Sequence, residues 1–411
     1  MENKILSAFI IEKMEDKTMT KFTMNAKELK TMMDKGVAAI DKKSTLHSLK
    51  CLYFSVEENG TVKVLGTDIE HFAEIRSNSA WNREPGAFGI DIDDIKVLSK
   101  MSGDITLEDV STEKENKLNV KCGNKTVSIP KYDTDSDIHM PDMSGSEELV
   151  LTVKENWLLE TIVNLATFTS DNDNNKLMRM FNFNLIKKRV EALDGYRIGM
   201  RSLENQRVEK ETQNPMNNFM LHNKCVPVLK KIMDKKSDAD IRILYTDKFI
   251  KVEGKDFTYV VRRGEGEYFK IDQMLSDADD YKFTVDRENM LEVMQYNQDL
   301  RKNEYNNPVI LHGENGKLFS YIRTERYEAF DELVADDVIM SDDLYIGFNP
   351  QFFVDAFKII DSDSPVCRGY NSKSPMFVTG EEYSFVILPV NISNSNAEEN
   401  MSKHINKGKA A

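Results

Sequence analysis

Residue types able to do chemistry occur throughout this chain, yet few stand at the spacings that bond-making chemistry needs. The six histidines (His47, His71, His139, His222, His312, His404) are dispersed, with none at a metal-ligand spacing. The four cysteines (Cys51, Cys122, Cys225, Cys367) form no Cys-x-x-Cys pair. They read as small buried hydrophobes in a reducing compartment, with neither a disulfide framework nor a zinc site. Asp91, Asp93 and Asp94 cluster at the start of a predicted helix, where carboxylates cap free N–H groups and complement the dipole. There is no Gly-rich phosphate loop and no Gly-x-Ser-x-Gly. Asp68, Asp194 and Glu325 are the carboxylates a metal-dependent hydrolase would use, but they fall at corners that recur for structural reasons. Lysines are the remaining pattern. Lys224, Lys231 and Lys235, separated by seven and four, fall on one helical stripe with Lys230 beside it; Lys96 and Lys100 are four apart, Lys27 and Lys30 three apart. Such stripes attract phosphate and break no bonds. The residues call for a binding protein or scaffold, with no catalytic residue, no metal and no cofactor.

These groups must be positioned by a repeated unit. Lys21-Phe22-Thr23-Met24 returns as Val150-Leu151-Thr152-Val153 and as Lys282-Phe283-Thr284-Val285. Leu29, Leu158 and Met290 follow at one fixed distance, and Met33, Ile162 and Met294 four residues later, a spacing that shares one helix face. Each copy thus begins strand, turn, amphipathic helix. Polar corners after apolar strands come next, at Val62–Asp68, Val190–Arg197 and Phe319–Glu325. Second helical patterns lie around Ile92–Leu98, Val226–Met233 and Phe352–Ile360, and Gly123, Gly254 and Gly380 each open a final strand. A period of about 130 residues is far longer than that of a solenoid. The prediction is an α+β chain of three repeated domains, each with two helices packed on small antiparallel sheets. The expected boundaries are 1–19 for an N-terminal extension, 20–147, 148–278 and 279–393 for the domains, and 394–411 for a disordered polar tail.

With 411 residues, each copy can bury its own core. The net charge of −14 argues against a uniformly basic nucleic-acid binder but permits segregated charge. No apolar run approaches the ~20 residues of a membrane span, and Ile5–Ile11 runs directly into Glu12-Lys13, unlike a secretory signal. A cytoplasmic protein is expected.

The segment Ala192-Leu193-Asp194-Gly195-Tyr196-Arg197-Ile198-Gly199-Met200 resembles the Ala-Thr-Asp-Gly-His-Arg-Leu-Ala segment of bacterial DNA polymerase III beta subunits, the sliding clamps. Further matches follow in family order: Lys21-Phe22-Thr23, Gly66-Thr67-Asp68-Ile69-Glu70, Glu84-Pro85-Gly86, Phe348-Asn349-Pro350-Gln351-Phe352 and Phe385-Val386-Ile387-Leu388-Pro389-Val390. Together they span residues 20–392. The resemblance implies the DNA clamp fold and a head-to-tail homodimer closed into a ring around duplex DNA, with helices lining the hole. It also implies a non-catalytic processivity factor that tethers the replicative polymerase. A clamp loader and other proteins carrying a clamp-binding linear motif would be further partners.

Residue roles carry over by position. Phosphate attraction falls to Lys27, Lys30, Lys96, Lys100, Lys224, Lys230, Lys231 and Lys235, with Lys42 and Lys43 standing where the family has a DNA-contacting Arg. The family's partner-peptide pocket, between its second and third domains, maps to Leu193, Asp194, Gly195, Tyr196, Arg197 and Ile198. Asn349, Phe352, Ser374, Pro375, Val386, Leu388, Pro389 and Val390 complete it. Lys176 and Arg179 replace the Arg and Leu of a family Arg-x-x-Leu, and Val390-Asn391 replaces a terminal Met-Arg. The family chain stops there, so the added tail would be free to cover the pocket. The dimer seam maps to Val127 and Ile129 against Leu300 and Arg301. The rival reading is a clamp-derived monomer that sequesters partners without encircling DNA.

Overall fold

The computed structural model describes residues 19–133, 138–143, 147–172, 175–209, 216–275, 279–301, 307–392 and 397–409. The expected extension at 1–19 therefore lies outside the described residues, save Met19.

One order of elements occurs three times. The first copy runs Lys21–Asn25 (β1), Ala26–Gly36 (α1), Cys51–Val56 (β2), Val62–Thr67 (β3), His71–Ser77 (β4), Trp81–Glu84 (β5), Gly86–Asp91 (β6), Ile92–Leu98 (α2), Asp104–Asp109 (β7), Lys117–Cys122 (β8) and Lys125–Pro130 (β9). The second runs Glu148–Lys154 (β10), Glu155–Leu165 (α3), Met180–Asn184 (β11), Arg189–Leu193 (β12), Arg197–Ser202 (β13), Arg207–Val208 (β14), Asn218–His222 (β15), Cys225–Ile232 (α4), Asp240–Tyr245 (β16), Phe249–Glu253 (β17) and Phe257–Arg262 (β18). The third runs Tyr281–Val285 (β19), Arg287–Leu300 (α5), Val309–Glu314 (β20), Lys317–Arg323 (β21), Glu328–Leu333 (β22), Ala335–Ile339 (β23), Tyr345–Phe348 (β24), Pro350–Phe357 (α6), Val366–Gly369 (β25), Met376–Thr379 (β26) and Tyr383–Ile387 (β27). A last helix, Ala397–Lys409 (α7), follows.

Local chemistry explains the helix starts. Asn25, Asp91, Asp286 and Asn349 each accept a backbone N–H from the first turn of α1, α2, α5 and α6, and Pro350 occupies the first turn of α6. The apolar repeat positions Leu29, Met33, Leu158, Ile162, Met290 and Met294 are all buried.

The chain divides into two compact units. The first comprises Met1–Leu159, Glu209–Pro215 and Lys224–Arg263. It holds a sheet ordered β5-β1-β7-β8-β9 and a second running β10-β16-β17-β18-β4-β3-β2-β6. Strands β18 and β4 join the second repeat to the first, with Tyr259 opposite Ala73. Helices α1 and α4 pack against each other. The Phe22, Phe54 and Phe88 rings stack with centroids 5.4–6.3 Å apart. Gly66 sits so close to the end of α1 that a Cβ would lie 2.0 Å from the Gly36 carbonyl oxygen.

The second unit comprises Glu160–Val208, Met216–Asn223 and Gly264–Ala411. Its sheets run β15-β11-β12-β13-β27-β26-β25-β19-β23 and β22-β21-β20-β24. Strands β13 and β27 join the second repeat to the third, with Gly199 opposite Phe385. Helices α5 and α6 pack together. Helix α7 occupies part of the stretch expected to be a disordered tail. Its Met401 and Ile405, four apart, are buried against Ile310, Phe319 and Tyr321, with Phe330, Tyr345 and Ile392 around them. An apolar second face on this sheet gives the amphipathic helix something to bury. Among the described residues no helix is long and apolar enough to cross a membrane.

Candidate functional site

In the second unit, the chain turns from β12 to β13 through Asp194-Gly195-Tyr196. Gly195 has φ of +93°, a conformation that costs a residue without Cβ nothing. Asp194 Oδ1 accepts the N–H groups of Tyr196 and Arg197 at 2.9 and 3.1 Å, so the carboxylate builds the turn. Its Oδ2 accepts from Arg197 Nε at 3.0 Å. The Arg197 guanidinium also donates to Asp355 Oδ2 at 2.5 Å and to the Thr167 carbonyl at 2.8 Å. It lies over Phe168 and Phe352, 5.0 and 4.8 Å from the ring centroids. Arg197 is thus buried and fully engaged, whereas Tyr196 is 65% exposed and stacks towards Phe352.

The corner borders an apolar cluster. Leu193, Ile198 and Val386 are buried within it, Ile198 and Val386 as direct β13–β27 partners. Leu388 and Val390 remain exposed, Pro389 is half-buried, and Leu388 N–H donates to the Tyr196 carbonyl at 3.0 Å. Ser374 and Pro375 are half-buried, Ser374 tied to Asn371 Oδ1. Asn349 is occupied as the cap of α6 and as acceptor from Arg301. Lys176, exposed, and Arg179, half-buried, bound a short 3-10 turn. Between them Leu177 and Met178 pack on the cluster, as does Met180. The sequence reading named the polar ends of that turn and missed its apolar middle. It also missed Tyr268 and Ile271, buried in the same cluster, with Phe269 and Leu275 beside them. The only sequence signal was an aromatic pair, Tyr268-Phe269, in a segment read as the end of a domain. Tyr268–Gln273 also line a recess of about 360 Å³. There buried Glu191 accepts from Asn182 and Arg189 at 2.6 Å each, and Arg189 donates to Asp272 at 2.9 Å, anchoring the segment.

The corner carboxylates are explained by this geometry. Asp68, in the first unit, accepts from Glu70 and His71 N–H as Asp194 does from its neighbours. In the third copy the turn-building acceptor is Thr324 Oγ1, bonded by Arg326 and Tyr327 N–H. Thr324, and not Glu325, is the equivalent position. A hydroxyl serves there as well as a carboxylate because only a turn acceptor is required.

All ten lysines named from the sequence belong to the first unit and all are exposed. Lys27 and Lys30 are on α1 and Lys230 and Lys231 on α4, the two helices that pack together. Lys224 caps the start of α4, 3.7 Å from Glu70. Lys235 lies beyond the end of α4 and Lys100 beyond α2, so the helical stripes are shorter than predicted. Lys96 pairs with Asp93 at 2.6 Å, and Lys42 and Lys43 occupy a turn. Of the seam residues, Val127 is half-buried and Ile129 buried on β9, and Leu300 is half-buried at the end of α5. Arg301 is buried and donates to Asn349 Oδ1 at 2.7 Å, so its guanidinium is engaged within the unit.

No protein-family profile matches the chain. Curated relatives do: the beta sliding clamp of Staphylococcus epidermidis is 23% identical over 393 residues, covering 90% of this chain and 99% of the relative. That of Staphylococcus aureus is 23% identical over 394 residues with the same coverage. A crystal structure of a DNA polymerase III beta subunit from Eubacterium rectale superposes with a TM-score of 0.79 at 26% identity, over 90% of this chain and 100% of that one. The sliding clamp of Bacillus subtilis gives a TM-score of 0.81 at 16% identity, over 91% and 100%, a likeness of fold. Threefold element order and full-length similarity agree: the chain shares the fold of DNA polymerase III beta subunits and is similar to beta sliding clamps over about 90% of its length.

Proposed function

We infer that this chain is a DNA polymerase processivity factor, a ring of two copies that encloses duplex DNA and holds the replicative polymerase to it, working in the cytoplasm. Domain boundaries near residues 148 and 279 follow from this reading. The observation that carries ring closure is a pairing left unused. The strand after the corner pairs with the final strand of the next repeat at β4–β18 and at β13–β27. The third such strand, β22, and the first final strand, β9, are both sheet edges. A second copy, placed head to tail, would supply each edge with its partner and leave no sticky end to grow a filament.

The register can be carried over as well. Ala73 opposite Tyr259 and Gly199 opposite Phe385 are equivalent pairs; the third pair is Ala329 opposite Val127 of the partner. This aligns Asp331 with the partner's Lys125. Asp331 Oδ2 is buried and has no hydrogen-bond partner among the described residues, a costly state that an incoming ammonium relieves. On this reading the seam runs along β9 and β22, with Val127 in it.

Exposed lysines on α1, α2 and α4, spread over sequence-independent positions, suit diffuse attraction to phosphates. The apolar cluster beside Tyr196, with Leu388 and Val390 exposed at its rim, suits a short linear motif from a polymerase, a clamp loader or another partner. The test is topological. Loaded onto nicked circular duplex, the protein is expected to stay bound through a high-salt wash and to be lost when the circle is linearised. Release from circles and linear DNA at equal rates would overturn enclosure and favour the sequestering monomer.

A further inference from the structure

We propose that His47, Cys51 and Asp91 form a binding site for a zinc-type divalent cation. Their donor atoms (an imidazole nitrogen, a thiol sulfur and a carboxylate oxygen) all lie within 4.8 Å of one another, and His47 Nδ1 is 3.6 Å from Asp91 Oδ2. The backbone brings them together. Cys51 and Asp91 are direct partners in the β2–β6 ladder, and His47 opens the 3-10 turn that leads into β2. The same turn brings the Cys51 Sγ to within 3.6 Å of the His47 carbonyl oxygen.

The surroundings favour a metal ligand set over an accidental cluster. Asp91 divides its oxygens: Oδ1 accepts Asp93 N–H at 2.7 Å as the cap of α2, and Oδ2 faces the imidazole. Tyr132 lies against the His47 ring, 4.4 Å between centroids, limiting its rotation as an outer-shell partner does. Burial, with the Asp91 and Asp94 charges beside it, pushes the Cys51 thiol up to about 12, so a bound cation would have to displace its proton. Mixed nitrogen, sulfur and oxygen donors select zinc or cobalt over calcium and magnesium, which take oxygen. Three protein ligands leave one position of a tetrahedron for water. A bound ion would tie the turn before β2 to the start of α2, bracing the segment that carries Lys42 and Lys43. From sequence, His47 and Cys51 stand one turn apart without a third ligand; the β-ladder supplies it.

The test uses the full chain, stripped with a chelator and titrated with Zn²⁺ against a chromophoric competitor, then separately with Co²⁺. One ion per chain is expected, with a thiolate-to-cobalt charge-transfer band. His47→Gln should weaken binding tenfold or more, Cys51→Ala should remove the band, and Asp91→Asn should weaken binding while keeping the helix cap. Zinc should raise Tm in the native chain and not in His47→Gln. The His47 side chain is exposed, so that variant decides the matter should Cys51→Ala fail to fold. Absence of the band, or affinity and stoichiometry unchanged in His47→Gln, would overturn the proposal.

Discussion

Arg197 holds the corner in which Tyr196 is displayed. It bonds two carboxylates and a carbonyl while lying over two rings. Arg197→Ala strands Asp194 and Asp355 and is expected to cost about 3 kcal/mol in denaturant unfolding, together with peptide affinity. Tyr196→Ala removes an exposed ring and should leave stability within about 0.5 kcal/mol while weakening a bound clamp-motif peptide about tenfold. Equal loss of stability in both variants would mean that Tyr196 is merely structural. Cysteine reactivity is a second residue-scale matter. Burial pushes the Cys225 thiol up to about 12 and raises that of Cys367, so neither offers thiolate near neutral pH. Cys122 is only half-buried and should be alkylated first in the native chain, as peptide mapping after brief iodoacetamide treatment would show.

Among elements, α7 departs most from expectation. Composition marks 394–411 as polar, and so it is; but two apolar residues four apart suffice when a sheet offers an apolar face. Met401 is fully buried, so Met401→Ala should destabilise the chain by about 2–3 kcal/mol, measured by urea titration. His404 stacks on Phe330 and lies 3.6 Å from Glu328, so the helix reaches β22. A chain ended after Ile392 should expose Phe319, Tyr321 and Phe330 and bind a hydrophobic dye; unchanged dye binding would show that the helix docks too weakly to matter. The predicted role of this tail as a pocket cover loses its basis, because α7 rests on β20, β21 and β22.

At the scale of the whole molecule, the proposed seam predicts how a two-copy ring would respond to charge and pH. Lys125→Glu should shift sedimentation from dimer to monomer, and pairing it with Asp331→Lys should restore the dimer. Failure of the double variant to recover would mean the register is wrong. Burial holds the Asp331 carboxyl above its ordinary range in the free chain, and an opposed lysine would lower it again. Association is therefore expected to be full above that raised value and to weaken as pH falls through it. Sedimentation across mildly acidic pH checks this.

The sequence by itself determined the threefold order of strands and helices, since each depends on local periodicity, caps and turn acceptors that recur in register. Leu29, Met33 and their equivalents were legible as core for that reason, and Asp194-Gly195 as a corner. It placed Lys27 and Lys231 on exposed faces but overextended the stripes to Lys235, because propensity does not mark where α4 ends. Tertiary structure alone decided which edges remain open, how Leu177, Tyr268 and Ile271 meet at Ile198, and that Asp91 stands opposite Cys51. Each of those depends on pairing between distant strands, where register, not neighbouring sequence, chooses the partner.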